Sequence, residues 1–301
     1  EREITQLYLH QKPHRVHPNF IPVITLNSAS GIVAMATGAK GPNLTISTAC
    51  SSSAHALGQA LYCIRTGQAD AVIVVGADAS ITPLVFAGFC SLRALSSKFN
   101  DQPERASRPF DRNRDGFVMG EGAGALIVES LSHAKKRRAR VYAELAGYAA
   151  TSEAYHMVIP REDGEEVATT MTLALKSADI KPGEVDYINA HATSTNIGDA
   201  VESKAIRALF KNRADKIAIS ATKSLVGHTL GAAGAIGAIA TTLSIHTGQI
   251  HPTANYDDPD PDCRLGGLSR DPQEKTIRAA LLNAFGFGSN NAAVVLKRFR
   301  P

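Results

Sequence analysis

Apolar β-branched runs alternate with helical periodicities along the chain. Residues 43–49 (NLTISTA) and 71–77 (AVIVVGA) read as strands, the second apolar on both faces and therefore expected inside a sheet. Between them, residues 51–66 put Ala54, Leu57, Ala60, Leu61 and Ile64 on one helical face, and Gly67 follows as a C-cap. Residues 79–120 are rich in turns and contain SRPFDRNRDG (107–116), a polar excursion rather than a core element. A strand over 124–129 and a short basic helix over 132–138 follow. In the second half, strands over 140–148, 185–189, 217–220, 278–283 and 292–297 alternate with helices over 164–177, 199–210 and 230–246. Such alternation predicts an α/β fold, a parallel or mixed sheet covered by helices.

The two halves compare element by element. In the second, strand–helix–strand–helix–strand precedes the turn KSLVGH (223–228), and a helix and two strands follow it. In the first, a single strand precedes the turn at Cys50, again followed by a helix and two strands. Halves at 1–139 and 140–301 are therefore expected to be copies, the first lacking its opening elements, about 100 residues by this count. The chain starts Glu-Arg-Glu-Ile without an initiator Met, which fits a start inside a longer protein.

Composition narrows the class. With 301 residues, 44% of them hydrophobic, and a net charge of +4, the chain can bury a sizeable core. Lys plus Arg total 32 against 28 acidic residues, and without Trp there is no aromatic-basic stripe for nucleic acid. Cys50, Cys63, Cys90 and Cys263 form no CxxC pair, so neither a disulfide framework nor a zinc site is expected, and a cytoplasmic location is. Residues 224–256 lack Asp, Glu, Lys and Arg, but Gly, Ala and Thr dominate their centre. A closely packed core helix, not a membrane span, is the expectation.

Three turns carry groups capable of chemistry. Cys50, in STACSSS (47–53), sits between a strand end and a helix start. It is either an ordinary buried small hydrophobe or a nucleophile, its thiolate favoured by the helix dipole and its oxyanion held by nearby amides. His191, in NAHATSTNIGD (189–199), and His228, in TKSLVGHTLGAAG (222–234), occupy strand-end turns, where open α/β folds place sites. The other cysteines, and His10, His14, His17, His133 and His251, read as structural or surface residues. GFVMGEGAG (116–124) and GHTLGAAG (227–234) match neither a Walker loop nor a dinucleotide fingerprint. NAFGFGSNN (283–291) is either a tight hairpin or a turn that brings backbone N–H groups to a ligand.

TACSSS, SRPFDRNRDGFVMGEGAG, NAHATST, TKSLVGHTLGAAGA and NAFGFGSNN, in this order, resemble the β-ketoacyl-acyl-carrier-protein synthases of the elongating type, the condensing enzymes of type II fatty-acid synthesis. The resemblance implies a duplicated thiolase fold, αβαβα in layers, whose N-terminal portion this chain lacks. It implies that Cys50 accepts the acyl chain, and that His191 and His228 promote malonyl decarboxylation and stabilise the enolate. It assigns the amides of Cys50 and Phe287 to the acyl oxyanion hole, with the Phe287 ring as gate and Phe285 beside it. Lys223 matches a structural lysine with Glu202 as its ion-pair partner. Thr193 and Thr195 match pantetheine-amide contacts, Phe89 an acyl-pocket residue, and Arg15 and Arg93 contacts of an acidic carrier. No cofactor is implied, because phosphopantetheine arrives on the acyl carrier protein with its acyl or malonyl thioester. A homodimer is implied, with no nucleic acid, membrane or metal.

The chain departs from the family pattern in a few places. Ala192 stands where Gly is usual, Gly237 where Glu is usual, and GSNN replaces GGTN at 288–291. ACSSS (49–53) is closer to polyketide ketosynthases. A polyketide-type ketosynthase is thus the alternative enzyme, and a non-catalytic carrier-binding subunit or fragment the non-enzyme reading. The retained Cys50 weighs against the latter, and the lack of a second cysteine in the GFG loop weighs against a thiolase.

Overall fold

Two sheets with a helical layer between them organise the chain in the computed structural model, which describes residues 2–300. Helices α1 (Arg2–Tyr8), α2 (Phe20–Ile24) and α3 (Ser28–Thr37) come first and bury no described side chain. The strand expected over 43–49 does not form: residues 43–48 lie in no ladder, with no strand beside them among the described residues, and Ala49 begins a 3-10 turn. A 3-10 turn at Ala49–Ser51 leads into α4 (Ser52–Arg65), then β1 (Ala71–Asp78) and α5 (Pro83–Ser91). β2 (Gly122–Glu129) pairs antiparallel with β1, and α6 (Leu131–Lys136) follows. β1 was expected in a sheet interior. It has one ladder partner instead, and Val75 and Ile127 are 37% and 57% exposed.

The second half comprises β3 (Glu144–Ser152), α7 (Glu165–Ser177), β4 (Tyr187–Asn189), α8 (Asn196–Phe210), β5 (Ala218–Ser220) and α9 (Lys223–Val226). It ends with α10 (Ala233–Thr247), β6 (Gln249–Ile250), β7 (Gln273–Glu274), β8 (Ala279–Gly286) and β9 (Asn290–Lys297). The main sheet has five strands in the order β3-β9-β8-β4-β5. β4 runs parallel to β5 and β8, while β9 runs antiparallel to β3 and β8. β6 and β7 form a separate two-stranded ribbon.

The apolar faces of these elements make two cores. α7 and α8 cover one face of the main sheet, burying Met171, Leu175, Ile188, Ile206 and Ile219 together. α4 and α10 cover the other, burying Leu57, Tyr187, Ala238, Ile245 and Leu282. Each large side chain so buried contributes about 1.5–3 kcal/mol. The far side of α4 and α10 supports β1 and β2 at very short range. A Cβ on Gly76 would lie 2.7 Å from the Cβ atoms of Ala235 and Ser53, and one on Gly124 would lie 2.9 Å from Ile239 Cδ1. The layers therefore run sheet, helices, sheet, helices. The apolar stretch Leu230–Thr247 belongs to this inner layer, its small residues letting the two sheets approach.

The 107–116 excursion is not peripheral, as its polarity suggested. Arg108, Asp111 and Arg114 are 2%, 0% and 4% exposed. Asp111 Oδ1 accepts from Arg108 Nε at 2.9 Å and Asn113 N at 2.8 Å. Arg114 donates from Nε to Thr195 O at 3.0 Å and from Nη2 to Asn196 O at 2.7 Å. These buried charges are satisfied by pairing and hydrogen bonds, which is what lets a polar segment enter the core.

Candidate active site

Cys50 lies in the 3-10 turn just before α4, at the end nearest the β8–β9 hairpin. The two turns meet closely, since a Cβ on Gly286 would fall 2.5 Å from Thr48 O and 3.2 Å from Cys50 N. Only glycine permits that approach. The backbone N–H groups of Cys50 and Phe287 favour the ionised form of the Cys50 thiol. The thiol is 8% exposed. Burial pushes it up to about 11, against the lowering pull of Lys223 and the two amides. The thiolate expected from the helix start is thus outweighed by desolvation, and the resting group is a thiol.

His191 follows β4 and His228 follows α9, which brings their ring centroids to 5.6 Å at an interplanar angle of 88°. Lys223, the first residue of α9, directs its ammonium at the His191 carbonyl and lies 3.4 Å from His191 Nδ1. The Leu230 amide donates to His228 Nδ1 at 3.3 Å. Both Nδ1 atoms are therefore acceptors, and each ring carries its proton on Nε2. Burial, then the charge of Lys223, holds both histidines well below 6.5. Lys223 itself is lowered to about 8 by burial, opposed by Glu202 and Cys50.

The expected Glu202–Lys223 contact pair is not what the carboxylate makes. Glu202 accepts from His191 N at 2.9 Å, Ala192 N at 2.8 Å and Asn283 Nδ2 at 2.8 Å. It acts on Lys223 through space and fixes the backbone of the His191 turn directly. Asp199 does the same one turn earlier, accepting from Ser194 N at 3.1 Å and Phe110 N at 2.8 Å.

A cavity of about 560 Å³ opens onto Cys50, His191 and His228. Phe89, Arg93, Thr193, Thr195, Phe285 and Phe287 also line it. Arg15, expected near its entry, sits in an exposed 3-10 turn and is not part of the lining. A second cavity of about 10 Å³ touches Cys50, Asn189, Lys223 and Gly237, with room for a single water. There a Cβ on Gly237 would meet Leu282 Cδ1 at 2.9 Å. Among the described residues, no cluster of three His, Cys, Asp or Glu side chains is arranged to hold a metal.

One residue beside the site was not singled out from the sequence. Phe117 is 4% exposed, with its ring 5.3 Å from His228 and 5.2 Å from Phe89, edge to face in both cases. Phe285 lies 5.4 Å from His191, so aromatic rings flank the imidazole pair on both sides. Phe117 lies among glycines (GFVMGEGAG) with no local pattern that marks its ring as facing a site. Chemically, the arrangement offers one buried thiol and two neutral Nε2–H donors on one cavity.

Two family models and several known proteins match the chain. Residues 1–134 match the family model described as "Beta-ketoacyl synthase, N-terminal domain", and residues 142–257 match "Beta-ketoacyl synthase, C-terminal domain". The mitochondrial 3-oxoacyl-[acyl-carrier-protein] synthase of Arabidopsis thaliana is 46% identical over 97% of this chain and 64% of its own length. The 3-oxoacyl-[acyl-carrier-protein] synthase 2 of Synechocystis sp. is 45% identical over 98% of this chain and 70% of its own length. Thus the chain spans about two thirds of these relatives. Among solved structures, AntDE:AntF, a type II polyketide-synthase acyl-carrier protein in complex with its ketosynthase, matches with a TM-score of 0.96 and 38% identity. That match covers 99% of this chain and 74% of the solved one.

Proposed function

The chain belongs to the β-ketoacyl synthase family, and on that premise we propose that it is a 3-oxoacyl-[acyl-carrier-protein] synthase acting by decarboxylative Claisen condensation. The observation that carries the reading is the single cavity that Cys50 shares with two histidines, each with an N–H donor facing its Nδ1 atom.

In the first half-reaction the Cys50 thiol attacks the thioester carbonyl of an acyl carrier. The tetrahedral oxyanion rests on the amides of Cys50 and Phe287. The C–S bond to phosphopantetheine breaks, its thiol leaves protonated by the proton of Cys50, and acyl-Cys50 remains. In the second, malonyl carrier loses CO₂, and the electron pair of the broken C–C bond becomes a thioester enolate. The enolate oxygen accepts Nε2–H bonds from His191 and His228. Neutral imidazoles suit this role, since each donates without surrendering its proton. The enolate carbon then attacks acyl-Cys50, the C–S bond to Cys50 breaks, the 3-oxoacyl chain departs on the carrier, and the Cys50 thiolate takes a proton from solvent. Thr193 and Thr195, whose hydroxyls lie 3.0 Å apart on the cavity wall, suit the pantetheine amides. Arg93 on the lining suits an acidic carrier.

Intact-protein mass spectrometry after incubation with an acyl carrier thioester tests this reading. One acyl group is expected on Cys50, and Cys50→Ala should abolish it while leaving the circular dichroism spectrum unchanged. An acyl group found on Cys63 or Cys90 overturns the assignment.

A polyketide-type ketosynthase is the second reading. The fit to the AntDE:AntF ketosynthase favours it, as do ACSSS (49–53) and GSNN (288–291). Repeated extension without reduction, in place of one condensation per cycle, would identify it.

A further inference from the structure

Ser289 occupies the left-handed region at φ 63, which residues other than glycine seldom adopt. It belongs to the short turn between β8 and β9 that carries Phe287. Its hydroxyl donates to His156 O at 3.0 Å and lies 3.5 Å from the Tyr155 amide. Its carbonyl accepts from Glu153 N at 3.1 Å, and the preceding Gly288 N–H donates to Met157 O at 2.8 Å. Glu153 completes the seam, accepting from Asn291 Nδ2 at 3.2 Å. Within the turn, Asn290 Nδ2 donates to Phe287 O at 3.0 Å. The hairpin turn is therefore braced internally by Asn290 and stitched externally to the loop over 153–160.

Both sides of this seam line the large cavity, His156, Val158 and Ile159 from one loop and Phe287 and Ser289 from the other. Parting of the two loops would widen the cavity wall beside Phe287. The backbone bonds across the seam are available to any sequence, whereas the hydroxyl bond is specific to Ser289. A glycine at φ 63 would adopt this backbone without strain and without that bond.

We propose that the Ser289 hydroxyl is a latch that holds the Phe287 turn against the 153–160 loop, and so helps set which acyl chains the cavity admits. Ser289 touches neither the sulfur nor the imidazoles, so it is a positioning residue. The proposal rests on the condensing reading for its second half, the selectivity, but not for its first.

The test uses the full chain with Ser289→Gly and Ser289→Ala. Glycine removes the hydroxyl and the strain, while alanine removes the hydroxyl and keeps the strain. Hydrogen exchange of the amides over 153–160 and 287–289 should rise about fivefold in both variants, the factor one hydrogen bond is worth. Exchange in α7 and α8 should not move. The ratio of Cys50 acylation efficiencies (kcat/KM) for dodecanoyl and butanoyl carriers should shift by about threefold or more, through KM. Loop exchange within twofold of the unaltered chain overturns the latch. So does faster exchange with an unmoved chain-length ratio, or faster exchange throughout the molecule. If the alanine variant does not fold, the glycine variant carries the test alone. Failure of the unaltered chain to take up any acyl group would strike the condensing reading, and the exchange measurement would still decide the contact.

Discussion

Lys223 joins the charge state of the site to its geometry. Its ammonium bonds the His191 carbonyl and faces His191 Nδ1, so its positive charge strengthens the preference of that ring for a proton on Nε2 and steadies negative charge in the site. Burial has brought Lys223 from 10.5 to about 8, so the proton is held below that pH and released above it. The histidines remain neutral well below 6.5, so acid does not remove their donors in the ordinary range. Decarboxylation of malonyl carrier should therefore be level from about pH 6.5 to 7.5 and fall above about 8. Lys223→Met should cost about 10²–10³-fold and remove that alkaline limb. Stopped-flow CO₂ release against pH checks both outcomes, and a limb that persists in the variant would assign it elsewhere. Glu202 illustrates the same economy of groups, its two oxygens serving three N–H donors.

The elements that bring these residues together depend on close packing by small residues. Gly58 on α4 faces the Tyr148 ring of β3, where a Cβ would lie 2.4 Å from three ring carbons. A ring packed within a core cannot yield as a flexible chain end does, so Gly58→Ala should cost about 1–3 kcal/mol. At about 2–4 °C per kcal/mol the loss is visible in a thermal melt. Acylation should weaken as well, because α4 begins at the Cys50 turn. Most elements of the second half were legible, since long amphipathic or uniformly apolar runs such as α7, α8 and β8 announce themselves. α5 was not, because PLVFAGFCS has no polar face and lies among turn residues, with Thr82 and Pro83 as its only start signals. The strand at 43–49 was misread, since β propensity does not supply a partner. The burial of 107–116 was misread as well, since sequence alone does not reveal that its charges pair with residues up to about 150 positions away. Within the site, Cys50, His191 and His228 stood out by their strand-end positions. Phe117 did not, because a ring's role depends on what it faces.

At the scale of the molecule, apolar surface is distributed unevenly. Ile4, Tyr8, Leu9, Val23, Leu26 and Met35 of the first helices and their flanks are exposed, as are Leu44, Val75 and Ile127. Surface of this kind favours association, and a second copy of this chain is the partner to test first. Sedimentation at micromolar concentration should give about twice the 31.8 kDa of one chain. A species at the single-chain mass would rule out the homodimer under those conditions. The close approach of Gly286 to the Cys50 turn joins two segments more than 200 residues apart in sequence. A chain can therefore form its local helices and strands while the thiol still lacks the hairpin that faces it. Competence for acyl transfer should emerge abruptly, as that hairpin docks, making it a natural reporter of long-range assembly.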